Sequence, residues 1–168
     1  MSHHVCLEDV FSDLEDYVVI KSHTLPSYKT GTDIDIVVKD KSVIDIIIGR
    51  SLKALPPDFT LVIKPKSGKV HVDFMYKDKL SLKLDLYLKL HPLINADMIS
   101  KILETRKPYR GFYVASVEHD IIVRAVEYIL YNHKTHHLKF IKDSIVPNID
   151  ELLKKSTSLQ PQQIKKFV

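Results

Sequence analysis

A chain of 168 residues with 45% hydrophobic and 27% charged residues has the composition of a globular protein with room for one substantial core, neither disordered nor fibrous. A formal charge of +4, spread along the chain, suits a phosphate-bearing ligand; nucleic acid is a disfavoured partner, because Lys154-Lys155 and Lys165-Lys166 are too short to make the dense basic run of a non-specific binder. The lone cysteine, Cys6, excludes an internal disulfide framework and a cysteine zinc cluster, and no apolar run approaches the roughly 18 residues that span a bilayer, so the expectation is a cytoplasmic protein with no membrane partner.

Leu7, Val10, Phe11 and Leu14 fall at i, i+3, i+4 and i+7 and predict a short helix. Tyr17 to Ile20 reads as a buried strand, and Lys21 to Gly31, with Ser, Thr, Pro and Gly and no periodicity, reads as a loop. Thr32 to Lys39 alternates, with Ile34, Ile36 and Val38 on one face and Asp33, Asp35 and Val37 on the other, so it predicts a strand with two carboxylates pointing the same way. Asp40 is placed to cap a helix whose apolar stripe of Ile44, Ile47, Ile48, Leu52 and Leu55 ends at Pro56-Pro57.

Phe59 to Ile63, Val70 to Tyr76 and Leu80 to Leu90 read as strands, with turns at Gly68 and at Lys77-Asp78-Lys79. Pairing Tyr76 with Leu80 sets Asp73 opposite Lys83 and His71 opposite Asp85. Beyond Pro92 come a helix with Met98, Ile99, Ile102 and Leu103, a longer one capped by Ser116 that runs into Asn132-His-Lys-Thr-His-His137, and, after Val146, a short helix and a loosely held tail. The expected fold is α/β or α+β: residues 1–92 as a core with a mixed sheet flanked by helices, and residues 93–168 as a helical part packed on it in one compact unit.

Two carboxylates at i and i+2 on one strand face can grip the same hard cation, and Mg²⁺ combines a few carboxylate oxygens with substrate phosphates. An Asp-x-Asp is by itself a common solvated strand face. Here the pair follows a glycine turn and is succeeded by further strands carrying acids between apolar residues. The set comprises Tyr17-Val-Val-Ile-Lys-Ser-His23, Gly31-Thr-Asp-Ile-Asp-Ile-Val-Val38, and either His71-Val-Asp-Phe74 or Leu84-Asp-Leu86. Over roughly residues 5 to 90 it resembles the nucleotidyltransferase superfamily, the fold of DNA polymerase beta. The resemblance implies that Asp33 and Asp35 hold two ions, Mg²⁺ or Mn²⁺, that bridge the phosphates of a nucleoside triphosphate, while a third acid binds one ion and takes the proton of the attacking hydroxyl.

Asp85, on a polar face with Lys83, Tyr87 and Lys89, is preferred as that third acid, with Asp73 kept as the alternative. Ser22, Gly31 and Thr32 are the candidate nucleotide-binding positions, with Tyr28 and Lys29 offering a ring and an ammonium beside them. The departure from the family is Lys21-Ser22-His23, where glycine would let the backbone approach a triphosphate closely.

Other constellations are weaker. His133 and His137, read at i and i+4 late in the long helix, could grip Zn²⁺ but lack the adjoining Glu of a metalloprotease, and cationic side chains at a helix C-terminus suit its dipole without a metal. Lys64, Lys66 and Lys69 around a turn read as solvated side chains or as a phosphate-contacting loop. No serine stands in a nucleophile-elbow context, and neither Asp73 nor Asp85 is followed two residues later by the lysine expected of a metal-dependent nuclease. The expected function is metal-dependent transfer of a nucleotidyl group to an acceptor hydroxyl; a non-catalytic nucleotide-binding or interaction module is the alternative, and a nuclease stands behind both.

Overall fold

The structure, a computed structural model, describes residues 3–21 and 24–168. The chain forms α1 (Leu7–Phe11), β1 (Tyr17–Ile20), β2 (Thr32–Val38), α2 (Lys41–Lys53), β3 (Phe59–Lys66), β4 (Lys69–Tyr76), β5 (Lys79–Tyr87), α3 (Met98–Glu104), β6 (Lys107–Tyr109), β7 (Phe112–Val114), α4 (Val117–Leu130), α5 (Thr135–Asp143), α6 (Ile149–Ser156) and α7 (Pro161–Ile164). Among the described residues seven strands make one mixed sheet in the order β3-β4-β5-β2-β1-β7-β6, so the expected mixed sheet flanked by helices is what the chain forms. β2 runs parallel to β5 and antiparallel to β1, and β7 joins β1 in parallel at Val19 and Val114.

Strand alternation divides the core in two. Ile34, Ile36 and Val38 of β2, with Leu82, Leu84 and Leu86 of β5, face α1 and α2. Val37 and Tyr87 face the other way, where Met98, Ile121, Ile141, Leu153 and Phe167 from the later helices close over them. Asp33, Asp35 and Asp85 share the face of Val37 and Tyr87, and they lie toward the sheet end at which β1 finishes and β2 begins.

The β4–β5 hairpin differs from expectation at its tip only. Lys77 and Asp78 both take positive φ, +47° and +63°, and make a two-residue turn that pairs Tyr76 with Lys79. A bulge after Phe74 absorbs the extra residue, Ser81, and beyond it Asp73 stands opposite Lys83 and His71 opposite Asp85. The two departures cancel, because each moves the register by one residue in opposite senses. β3 extends through Pro65, which an edge strand tolerates because the missing N–H faces no neighbour.

In the C-terminal half one element is added and two expectations are corrected. Lys107 to Val114, for which the sequence analysis names no element, form a hairpin turned by Arg110 and Gly111 at φ +50° and +86°. The long helix stops at Leu130, and Asn132 and His133 take left-handed conformations before α5 restarts, so His133 and His137 do not share one helical face. The tail is docked: Ile164 and Phe167 are buried, the Phe167 ring meets Tyr128 at 5.6 Å, and the Gln160 N–H donates to Gln163 Oε1 at 2.7 Å to close the N-terminus of α7. Among the described residues no helix is long and apolar enough to cross a membrane.

Candidate active site

The parallel register of β2 on β5 sets Asp35 directly beside Asp85 and Asp33 beside Lys83. With Thr32 these acids floor one side of an open cavity of about 650 Å³, whose other lining side chains include Lys21, Lys69, His91, Arg124, Lys134, His136 and His137. An acidic strand edge thus faces a wall rich in cationic and imidazole groups. Carboxylates on one side can take hard cations, and ammonium and guanidinium groups on the other can take anionic oxygens.

Asp85 is buried. Loss of hydration first, and then the neighbouring charges of Asp35 and Asp33, push its carboxyl up to about 6. His71 Nδ1 lies 2.6 Å from Asp85 Oδ1, but without the alignment of a hydrogen bond. The His71 ring is itself held below the usual imidazole range by burial and by Lys69 and Lys83, so it adds little positive charge to the pair. Asp35 is bound on both oxygens: Oδ1 accepts from the Tyr87 hydroxyl at 3.1 Å, and Oδ2 is 2.9 Å from Lys21 Nζ. Burial and the Asp35 charge raise the Tyr87 pKa, so the phenol stays a donor.

The opposite wall is organised by α4. Asp120, Arg124 and Glu127 stand at i, i+4 and i+7, one polar stripe on a helix whose remaining inward face is apolar. Each reaches Lys21 at the end of β1: Asp120 Oδ1 accepts the Lys21 N–H at 2.9 Å, Arg124 donates to the Lys21 carbonyl at 3.4 Å, and both Glu127 oxygens accept from Nζ, at 2.6 and 2.9 Å. Burial opposes the ammonium of Lys21, but Asp35 and Glu127 outweigh it and raise its pKa. Burial likewise opposes Glu127, yet His91 and Lys21 draw it down to about 2. Glu127 also has His91 Nε2 at 3.0 Å and His137 Nε2 at 3.3 Å, while burial pushes the His137 ring down to about 4. None of Asp120, Arg124 and Glu127 stands out in the sequence analysis; the signal that could have found them is a polar i, i+4, i+7 stripe on an otherwise buried helix.

The remaining candidates disperse. Asp73 is buried two residue pairs along the hairpin from Asp85; it stands opposite Lys83, but the ammonium beside it is Lys64 Nζ at 3.1 Å, and it is not among the residues lining the large cavity. Gly31 takes φ +85°, and its N–H donates to the Ser81 carbonyl at 2.7 Å, pinning the loop before β2 onto β5. Tyr28 is packed into the core with its hydroxyl accepting from Val5 N–H at 2.7 Å, which accounts for the ring without a stacked base. Lys29 lines a smaller recess of about 260 Å³ that shares Lys21, Thr32, Asp33 and Asp35 with the large one. Ser22 lies outside the described residues.

Among the described residues no group of three or more His, Cys, Asp or Glu side chains is already gathered tightly enough to hold a metal ion. The donor chemistry nevertheless fits a hard cation: Asp33, Asp35 and Asp85 present carboxylate oxygens to one cavity, and Asp85, squeezed by burial and by two like charges, would be relieved by a cation.

No family model matches the chain, and no curated protein matches it. Among solved structures, its backbone is similar to that of a candidate nucleotidyltransferase from H. pylori, at 16% identity with a TM-score of 0.46, over 96% of this chain and 87% of that one. It is also similar to JHP933 from Helicobacter pylori, at 18% identity with a TM-score of 0.49, over 79% of this chain and 59% of the other.

Proposed function

We propose that this protein transfers a nucleotidyl group from a nucleoside triphosphate to an acceptor hydroxyl with the help of a divalent cation. The observation that supports this most is the adjacency of Asp35 and Asp85 on parallel strands, with Asp33 at the mouth of the same cavity and cationic groups across from them. Asp33, Asp35 and Asp85 would hold Mg²⁺ or Mn²⁺, which when bound neutralises charge on the phosphate oxygens.

The chain's own residues do the rest. Lys69, Arg124 and Lys134 line the cavity and would donate to phosphate oxygens, contributing to the positioning and electrostatic stabilisation that are the main sources of catalysis in phosphoryl-type transfer. Asp85, whose carboxyl burial and the Asp35 charge raise to about 6 in the metal-free site, would take the proton of the attacking hydroxyl, with the bound cation lowering that value again. Tyr87 and Lys21 hold the Asp35 carboxylate in one orientation.

The test is Mn²⁺-dependent stabilisation by a non-hydrolysable nucleoside triphosphate, followed by thermal denaturation, together with pyrophosphate release from the hydrolysable one. The wild type should show both, and Asp33→Asn and Asp35→Asn should lose the Mn²⁺-dependent part while still unfolding cooperatively. An undiminished shift in the double variant would remove the reading. A second reading, a nucleotide-binding module without catalysis, is favoured by Lys21 already bound to Asp35, and would show nucleotide binding that ignores Mn²⁺ and releases no pyrophosphate.

A further inference from the structure

Lys21 is held at both its backbone and its side chain. Its backbone is fixed on both sides, by Asp120 at the N–H and Arg124 at the carbonyl, and its side chain is 13% exposed. Its φ of +56° is left-handed, a conformation that favours glycine, so the backbone at the end of β1 follows a glycine-type path while carrying a long cationic side chain. That side chain ends between two carboxylates from different elements, Asp35 on β2 at 2.9 Å and Glu127 on α4 at 2.6 and 2.9 Å.

The carboxylates of the cavity are therefore divided into two sets. Asp35 Oδ2 and Glu127 are neutralised from within the chain, and Asp35 Oδ1 already accepts from Tyr87. Asp33 is exposed, and Asp85 is buried next to Asp35 without a hydrogen-bond donor on Oδ1. A divalent ion beside Asp35 Oδ2 would meet the ammonium at close range in a partly buried setting, where like charges repel far more strongly than in water.

We propose that Lys21 is a resident cation standing in for one of the two metal ions that the resemblance implies, so that Asp33, Asp35 and Asp85 together take a single divalent ion instead of two. This rests on the metal-dependent reading above. Lys21 is then a positioning residue: it orients Asp35 toward the substrate side and supplies one positive charge that, unlike a bound ion, does not depend on metal concentration. In return the site gives up the tighter charge neutralisation of a second divalent ion.

The experiment counts Mn²⁺ ions bound per full-length chain, from the electron paramagnetic resonance signal of the free ion during titration with Mn²⁺ alone. Three substitutions are compared: Lys21→Gly, which suits the left-handed backbone; Lys21→Met, which keeps the length without the charge; and Lys21→Arg, which keeps the charge. Circular dichroism checks that each is folded. One ion on the wild type and on Lys21→Arg, with a second ion gained by Lys21→Gly and Lys21→Met, supports the inference. Two ions on the wild type, or one ion on all four proteins, overturns it and leaves metal-dependent transfer standing. No Mn²⁺ on any of the four removes the metal-dependent reading as well.

Discussion

At the scale of single residues, two carboxylates in the cavity are tuned in opposite directions, and the consequences differ in sign. Glu127, drawn from 4.5 to about 2, stabilises the fold above its unfolded value, and that contribution is lost as the pH falls through about 2. Glu127→Gln leaves Lys21 with Asp35 as its sole remaining carboxylate partner among these contacts and takes the carboxylate from beside His91 and His137, so it should cost about 3 kcal/mol at pH 7, the scale of breaking a buried ion pair. Urea denaturation at pH 7 and at pH 3 checks this: the gap between wild type and variant should narrow at the lower pH. Asp85 behaves the other way. With its folded value near 6 against 3.8 unfolded, the folded protein holds that proton more tightly, and stability from this group is lost as the pH rises through that window. Asp85→Asn should therefore make the metal-free protein more stable at pH 7.5, by about 1 to 3 kcal/mol, while abolishing Mn²⁺-dependent stabilisation and pyrophosphate release. Asp73→Asn, two residue pairs away against Lys64, should keep most of the activity. An inactive Asp73→Asn beside an active Asp85→Asn would move the third acid to β4.

At the scale of elements, the parts that sequence periodicity missed are those that hold the site from behind. The β6–β7 hairpin is only three residues a side, too short for alternation to show, and its signal is the Arg110-Gly111 pair at its turn. Gly111 takes φ +86°, so Gly111→Ala should cost about 1 to 2 kcal/mol through backbone strain, measured by chemical denaturation, although the space around it is open. The tail is a larger effect. Phe167 is buried against Tyr128 on α4, the helix that carries Glu127, so Phe167→Ala should cost about 3 kcal/mol or more and loosen that helix. A tail that merely trailed in solvent would make the substitution neutral.

At the scale of the whole molecule, the sheet acts as a divider. One face is closed by α1 and α2, and the other by the later helices, and the cavity opens where that second cover stops short of the start of β2. Much of this was legible in the chain itself. The Asp33–Asp35 strand was readable because a period of two on a half-buried strand sorts carboxylates from aliphatics without tertiary help. Asp85 was reachable because its hairpin is local, and a register counted outward from a turn survives a tip that differs when a bulge restores the count. What the sequence determined alone was thus short-range: strand faces, helix caps and the neighbours of one hairpin. The tertiary structure alone decided the rest. The β2–β5 parallel pairing joins segments separated by two other strands and a helix, and the Lys21–Glu127 contact spans 106 residues. No local periodicity encodes which buried charge meets which at that distance; it is decided when α4 packs across the end of β1, where desolvation forces each ionised group to find a partner.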